Sequence, residues 1–97
     1  MRAYERLLKY VQINTKSDDG STTVPTTAIQ FDLANILVDE LNALGCENVK
    51  VDENCYVYAE IPASKGCENA PVLGFIAHMD TSPDFSGEGV APQLYPD

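Results

Sequence analysis

The residues best suited to chemistry lie in the stretch Gly74-Phe75-Ile76-Ala77-His78-Met79-Asp80-Thr81-Ser82-Pro83-Asp84. An apolar run ends there in His78, the only histidine of the 97-residue chain, with a carboxylate two residues on. Strand ends are where α/β proteins place their ligands. In extended backbone, side chains two apart leave on the same side, so His78 and Asp80 share an edge. A neutral imidazole can hold a metal through one ring nitrogen while its other N–H donates to a carboxylate. That contact fixes the tautomer and makes the free nitrogen a better donor. The spacing predicts His78 as a metal ligand and Asp80 as its orienting carboxylate, provided the chain bends near Met79. The tripeptide also fits a second reading, in which a strand-end histidine bonds to backbone and Asp80 opens a turn at Ser82-Pro83.

Other chemistries find less support. Ser82 lacks the G-x-S-x-G elbow of a hydrolase nucleophile. No G-x-G-x-x-G or phosphate-binding loop follows a strand, so no cofactor-binding residue is assigned. Cys46, Cys55 and Cys67 are odd in number and contain no C-x-x-C pair. They read as idle thiols in a reducing compartment rather than as a disulfide framework or a Cys-rich zinc site. Asp84 and Glu88 lie near the histidine and read as solvated loop charge.

Composition narrows the partners. Fifteen acidic and six basic residues give a net charge of -9, which argues against nucleic acid, since phosphate binding needs clustered Lys and Arg. Such acidity suits the solvated surface of a cytoplasmic protein, with recruitment of cations by an acidic cleft as the lesser reading. The N-terminus has no apolar core of a signal peptide. No apolar run approaches the roughly 20 residues a membrane helix needs.

The elements that must position His78 follow from periodicity. Over residues 2–13, Tyr4, Leu7, Leu8 and Val11 make one face of a short helix and Arg2, Glu5, Arg6 and Lys9 the other. Thr15 to Thr23 reads as a loop with its tip at Ser17-Asp18-Asp19-Gly20. A longer helix is expected after Pro25. Thr27 with Gln30 forms its capping box, and Ile29, Leu33, Ile36, Leu37, Leu41 and Leu44 its apolar stripe. Gly45 supplies the left-handed residue that ends it. Val49-Lys50-Val51, the turn Asp52-Glu53-Asn54 and the alternating Cys55 to Ile61 predict an antiparallel hairpin. Pro62 closes it, and a polar loop runs from Ala63 to Ala70. Pro71 to Ala77 shows no polar alternation, which predicts an inner strand covered on both faces, with Gly74 marking close packing. An inner strand needs neighbours, and only loop follows it, so the sheet looks unfinished.

GFIAHMDTSPDFSG resembles the first metal-binding motif of the peptidase T family, the bacterial tripeptide aminopeptidases among the M20 metallopeptidases. RLLKYVQINTKS resembles the opening helix and following loop of that family. VPTTAIQFDLANILVDELNALGCENVKVDENCYVYAEIPA resembles its long helix and hairpin. HMDTSPD after an apolar strand is the specific part.

The resemblance implies an α/β fold, namely part of the three-layer αβα catalytic domain of a zinc exopeptidase. Its mixed sheet would be represented here by two helices, a hairpin and one inner strand, with residues 1–97 as the N-terminal part of that domain. It implies two zinc ions that activate a water against the first peptide bond of a tripeptide, releasing the N-terminal amino acid. His78 matches a zinc ligand and Asp80 the aspartate classed as catalytic, which holds that histidine. The family's bridging Asp, its Glu base and its later ligands find no match before Asp97. One histidine cannot build a zinc site that needs three or four protein ligands. The 97 residues alone are therefore expected to be inactive and to self-associate through unpaired strand flanks. Other M20 amidohydrolases, a dipeptidase or an N-acyl amino acid deacylase, share the H-x-D strand end. A non-enzymatic acidic interaction module is the alternative of a different class.

Overall fold

The computed structural model describes residues 1–96; Asp97, the last residue of the segment assigned above, lies outside the described residues. Two helices precede a two-stranded hairpin: α1 (Ala3–Tyr10), α2 (Gln30–Ala43), β1 (Glu47–Val51) and β2 (Val57–Glu60). The strands pair antiparallel and α2 packs on both of them. The result is a small α/β arrangement whose core is thin. Leu33 and Ala34 of α2 and Cys55 of the hairpin turn are its buried apolar residues, joined by buried Thr15 and Gln30.

Helix α2 ends as its sequence requires and begins later than expected. At its C-terminus Gly45 takes φ +86, its N–H donates to the Asn42 carbonyl at 3.0 Å, and the Cys46 N–H donates to the Leu41 carbonyl at 3.1 Å. This is the paired bonding of a Schellman stop, which only a residue without Cβ enters freely. At the other end Thr27 does not cap. Its hydroxyl donates to the Lys16 carbonyl at 2.7 Å and accepts from the Gln30 side-chain amide at 3.0 Å. With that hydroxyl committed to another loop, regular helix starts only at Gln30, without a side-chain cap.

Helix α1 meets α2 through the face expected to be its solvent side. Tyr4 and Leu7 stay exposed, whereas Arg6, Lys9 and Tyr10 converge on Glu40 of α2. Lys9 Nζ lies 2.9 Å from one carboxylate oxygen, Arg6 Nη1 3.3 Å from the other, and the Tyr10 hydroxyl donates to the latter. A short helix with four apolar positions buries too little to dock by area alone, and the shielded carboxylate supplies the attachment.

These contacts make the attachment pH-dependent. The Tyr10 hydroxyl, with Lys9 and Arg6, holds the Glu40 carboxyl below its ordinary 4.5, although burial opposes this. Burial, then Glu40, pushes the Tyr10 phenol above its ordinary 10.0. A lowered carboxyl stabilises the folded form above its ordinary value and loses that contribution as pH falls through the lowered one. A raised phenol stabilises below its ordinary value and loses that contribution as pH rises through the raised one. Docking of α1 is therefore expected to be strongest between those limits. Comparing the thermal midpoint of the chain with that of Glu40→Gln across pH checks this. The difference should shrink in acid, and a difference that grows there refutes the linkage.

The hairpin follows the alternation closely. Val51 pairs with Val57, Lys50 with Tyr58 and Glu47 with Glu60, so β1 starts two residues before Val49. The register breaks between Glu47 and Lys50, where Asn48 takes φ 51 and its side-chain amide donates to Glu60 at 2.8 Å. Asp52 builds the turn: its Oδ1 accepts the Asn54 and Tyr56 N–H groups at 3.0 and 2.9 Å. Local side-chain acceptors of this kind are what make Asp a turn residue.

The apolar segment before His78 departs most from expectation. No strand is assigned over Pro71–Asp80. Val72, Phe75 and Ile76 are 99%, 89% and 100% exposed, so the inner strand covered on both faces is not formed. Gly74 marks no close packing either, because a Cβ there would meet nothing within 4 Å. The reason is topological. A strand needs the N–H and C=O groups of a neighbour, and among the described residues β1 and β2 pair only with each other. Size measures agree. The accessible surface is 7730 Å², against about 5,500 Å² for a compact chain of this mass. The radius of gyration is 16.0 Å, against about 12.5 Å for a compact domain of this length.

Candidate functional site

His78 stands at the end of the exposed apolar segment, and what fixes the chain there is the first loop. Lys16 and Thr81 form an isolated parallel bridge. The Thr81 N–H donates to the Thr15 carbonyl at 3.1 Å, and the Ser17 N–H donates to the Thr81 carbonyl at 3.0 Å. The Ser17 hydroxyl adds a second bond to that carbonyl at 2.7 Å. Thr81 is thus gripped on both sides immediately after Asp80.

The imidazole and carboxylate make the contact that their spacing suggested. His78 Nδ1 lies 3.0 Å from Asp80 Oδ1 and 2.9 Å from the Asp80 carbonyl oxygen. Each reading of the tripeptide finds one of its contacts here, since the ring nitrogen touches carboxylate and backbone together. Both partners are acceptors only, so in the neutral ring the proton sits on Nδ1 and Nε2 keeps its lone pair. The His78 side chain is 84% exposed and Asp80 43%. The pair borders an open cleft of about 1030 Å³ lined also by Leu37, Leu41, Tyr56 and Phe75. The turn that follows is opened by Ser82 rather than Asp80: its hydroxyl accepts the Asp84 N–H at 3.2 Å and donates to the Asp84 carboxylate at 3.1 Å. Asp84 and Glu88 are exposed.

A carboxylate-oriented imidazole with a free Nε2 is an arrangement that metal-binding histidines commonly take. Among the described residues no group of three or more His, Cys, Asp or Glu side chains converges to hold an ion. The side chains present do not by themselves fit zinc, which takes three or four protein ligands. Cys46, Cys55 and Cys67 are free thiols, half-buried, buried and exposed in that order. Burial, with the nearby Asp52 charge adding to it, pushes the Cys55 thiol up, away from the reactive thiolate. Among the described residues no helix is long and apolar enough to cross a membrane.

Periodicity did not reveal the role of the first loop. Thr15, Ser17 and Thr81 reach one another across some sixty residues of sequence, and nothing in a loop rich in Ser, Thr and Asp states where it will dock. Buried Thr15 is the one trace, a polar residue at 3% exposure.

Comparison with known proteins places the chain among peptidases. No family model matches it. It is 56% identical over 91 residues to Peptidase T of Alkaliphilus oremlandii, an alignment covering 93% of this chain and 22% of that protein. Against Peptidase T of Geobacillus kaustophilus it is 51% identical over 90 residues, again 93% of this chain and 22% of the relative. Against Peptidase T of Aliivibrio fischeri the identity is 50% over 90 residues, with the same coverage of each. Over 93% of its length the chain is homologous to Peptidase T. It spans about a fifth of the length of the curated relatives it matches.

Proposed function

We propose that the chain is the N-terminal part of the catalytic domain of a two-zinc aminopeptidase that releases the N-terminal residue from tripeptides. In this reading residues 1–97 belong to the three-layer αβα domain of a zinc exopeptidase, and the apolar segment 71–77 becomes an inner strand once the rest of the sheet is present. His78 would give Nε2 to zinc. Asp80 would hold the ring in the competent tautomer through Nδ1. The remaining ligands and the general base would come from elsewhere in the complete enzyme, so these residues alone would not turn over substrate. The setting would be cytoplasmic, and neither nucleic acid nor membrane would be a partner.

The observation that carries the reading is the Nδ1 contact to Asp80 with Nε2 left open. It is the arrangement a metal-binding histidine needs, because the partner of the other ring nitrogen sets which nitrogen can donate. Identity to Peptidase T over nearly the whole chain supports the substrate class.

The test is a substrate panel on a full-length protein carrying this segment. Free tripeptides should be cleaved at the first bond more efficiently than dipeptides or N-acylated amino acids. Preferential deacylation of N-acyl amino acids would replace this reading with another M20 amidohydrolase activity.

A further inference from the structure

We infer that Ser17, anchored through the Lys16 carbonyl to Thr27 and Gln30, is a positioning residue for the His78–Asp80 pair. The inference rests on the reading of that pair given above and adds to it the device that sets its geometry.

One peptide unit links the imidazole to the first loop. The Asp80 carbonyl and the Thr81 N–H belong to the same planar group. Its carbonyl end accepts from His78 Nδ1 at 2.9 Å. Its N–H end donates to the Thr15 carbonyl at 3.1 Å. A rotation of this plane that broke the Thr15 bond would also carry the carbonyl away from the imidazole. The next carbonyl, that of Thr81, is held twice by Ser17, through its N–H at 3.0 Å and its hydroxyl at 2.7 Å. Two donors on one acceptor from a single residue leave Thr81 little freedom about its own ψ.

The loop that grips Thr81 is itself tied down. Lys16 lies between the two gripping residues, and its carbonyl accepts from the Thr27 hydroxyl at 2.7 Å. Thr27 accepts in turn from the side-chain amide of Gln30, which also bonds the Thr26 hydroxyl at 3.1 Å. Gln30 is 7% exposed and is the first residue of α2, so the series ends in the core. Thr15, at 3% exposure, closes it from the other side. These hydroxyls would otherwise favour a conventional helix cap. Their use across the loop explains both the late start of α2 and the fixed position of an otherwise exposed histidine.

His78 is the only imidazole in the chain, so its ring ¹⁵N resonances report the pair without ambiguity. Measured where the ring is neutral, the parent chain should show the Nδ1–H tautomer in excess. Ser17→Ala should lower the ratio of Nδ1–H to Nε2–H at least about twofold, the scale of one net hydrogen bond lost. Ser17→Thr, which keeps the hydroxyl, should restore it. Asp80→Asn tests the underlying pair separately, and the tautomer ratio should change there whatever Ser17 does. An unchanged ratio in Ser17→Ala beside a changed one in Asp80→Asn overturns the positioning role alone. No change in Asp80→Asn overturns the pair itself.

Should Ser17→Ala lose its helical circular dichroism, amide exchange in the parent chain decides the matter. The Thr81 N–H should exchange more slowly than those of Ile76 and Ala77, and exchange at the unprotected rate refutes the grip.

Discussion

Zinc occupancy of a full-length protein carrying this segment is expected to collapse when His78 is replaced by alanine. Removing a neutral nitrogen donor from a set of three or four leaves the ion underliganded, and the loss should exceed the roughly 10- to 100-fold typical when only a ligand's hydrogen-bond partner is changed. Asp80→Ala makes the informative contrast. It leaves Nε2 and the backbone acceptor at 2.9 Å in place but removes the carboxylate bond at 3.0 Å, so the ring and its tautomer are held less firmly. Turnover should fall by about 10- to 100-fold while more metal stays bound than in His78→Ala. Metal analysis and kcat/KM on the two variants check both statements. Equal metal loss in the two would make Asp80 a ligand rather than an orienting group, and undiminished activity in both would remove the pair from the mechanism.

The chain itself is expected to self-associate as its concentration rises. Val72, Leu73, Phe75 and Ile76 lie contiguous and at least three-quarters exposed, an apolar run of the kind that soluble monomers avoid. The backbone beside them has no strand partner among the described residues, and unpaired extended backbone recruits another chain. Sedimentation or light scattering should show an average mass that grows with concentration. Ile76→Lys places a charge in the centre of the run and should shift the chain toward monomer, leaving the hairpin and α2 intact because Ile76 buries nothing. A monomer of constant mass in the parent chain would show that the segment finds cover in another way.

These expectations depend on what could be read from the residues before any coordinates. Short-range features were legible. The middle of the α2 stripe, around Leu33, the stop at Gly45 and the Asp52 turn depend on residues within one or two turns of each other, so periodicity and cap chemistry decide them, whereas Ile29 and Leu44 at the stripe's ends stay exposed. The His78–Asp80 contact belongs to the same class, with partners two residues apart. The resemblance to Peptidase T was legible from the HMDTSPD stretch and its upstream elements, and the identities to Peptidase T bear it out.

What failed to be legible depended on partners far along the chain. The apolar pattern of 71–77 states a preference for an inner strand, but pairing requires a neighbour that these residues do not have. The hydroxyl of Thr27 satisfied a capping pattern on paper, yet a loop carbonyl eleven residues earlier claimed it. Helix α1 turned its charged face inward because Glu40, thirty-one residues beyond Lys9, offered more than its few apolar side chains could gain. The sequence by itself determined the residues capable of chemistry and the elements around them, because those follow from local bonding. Only the tertiary structure decided that the first loop grips Thr81, beside the peptide that meets the imidazole. That grip depends on which distant donors and acceptors come within hydrogen-bonding distance, and no local pattern encodes that.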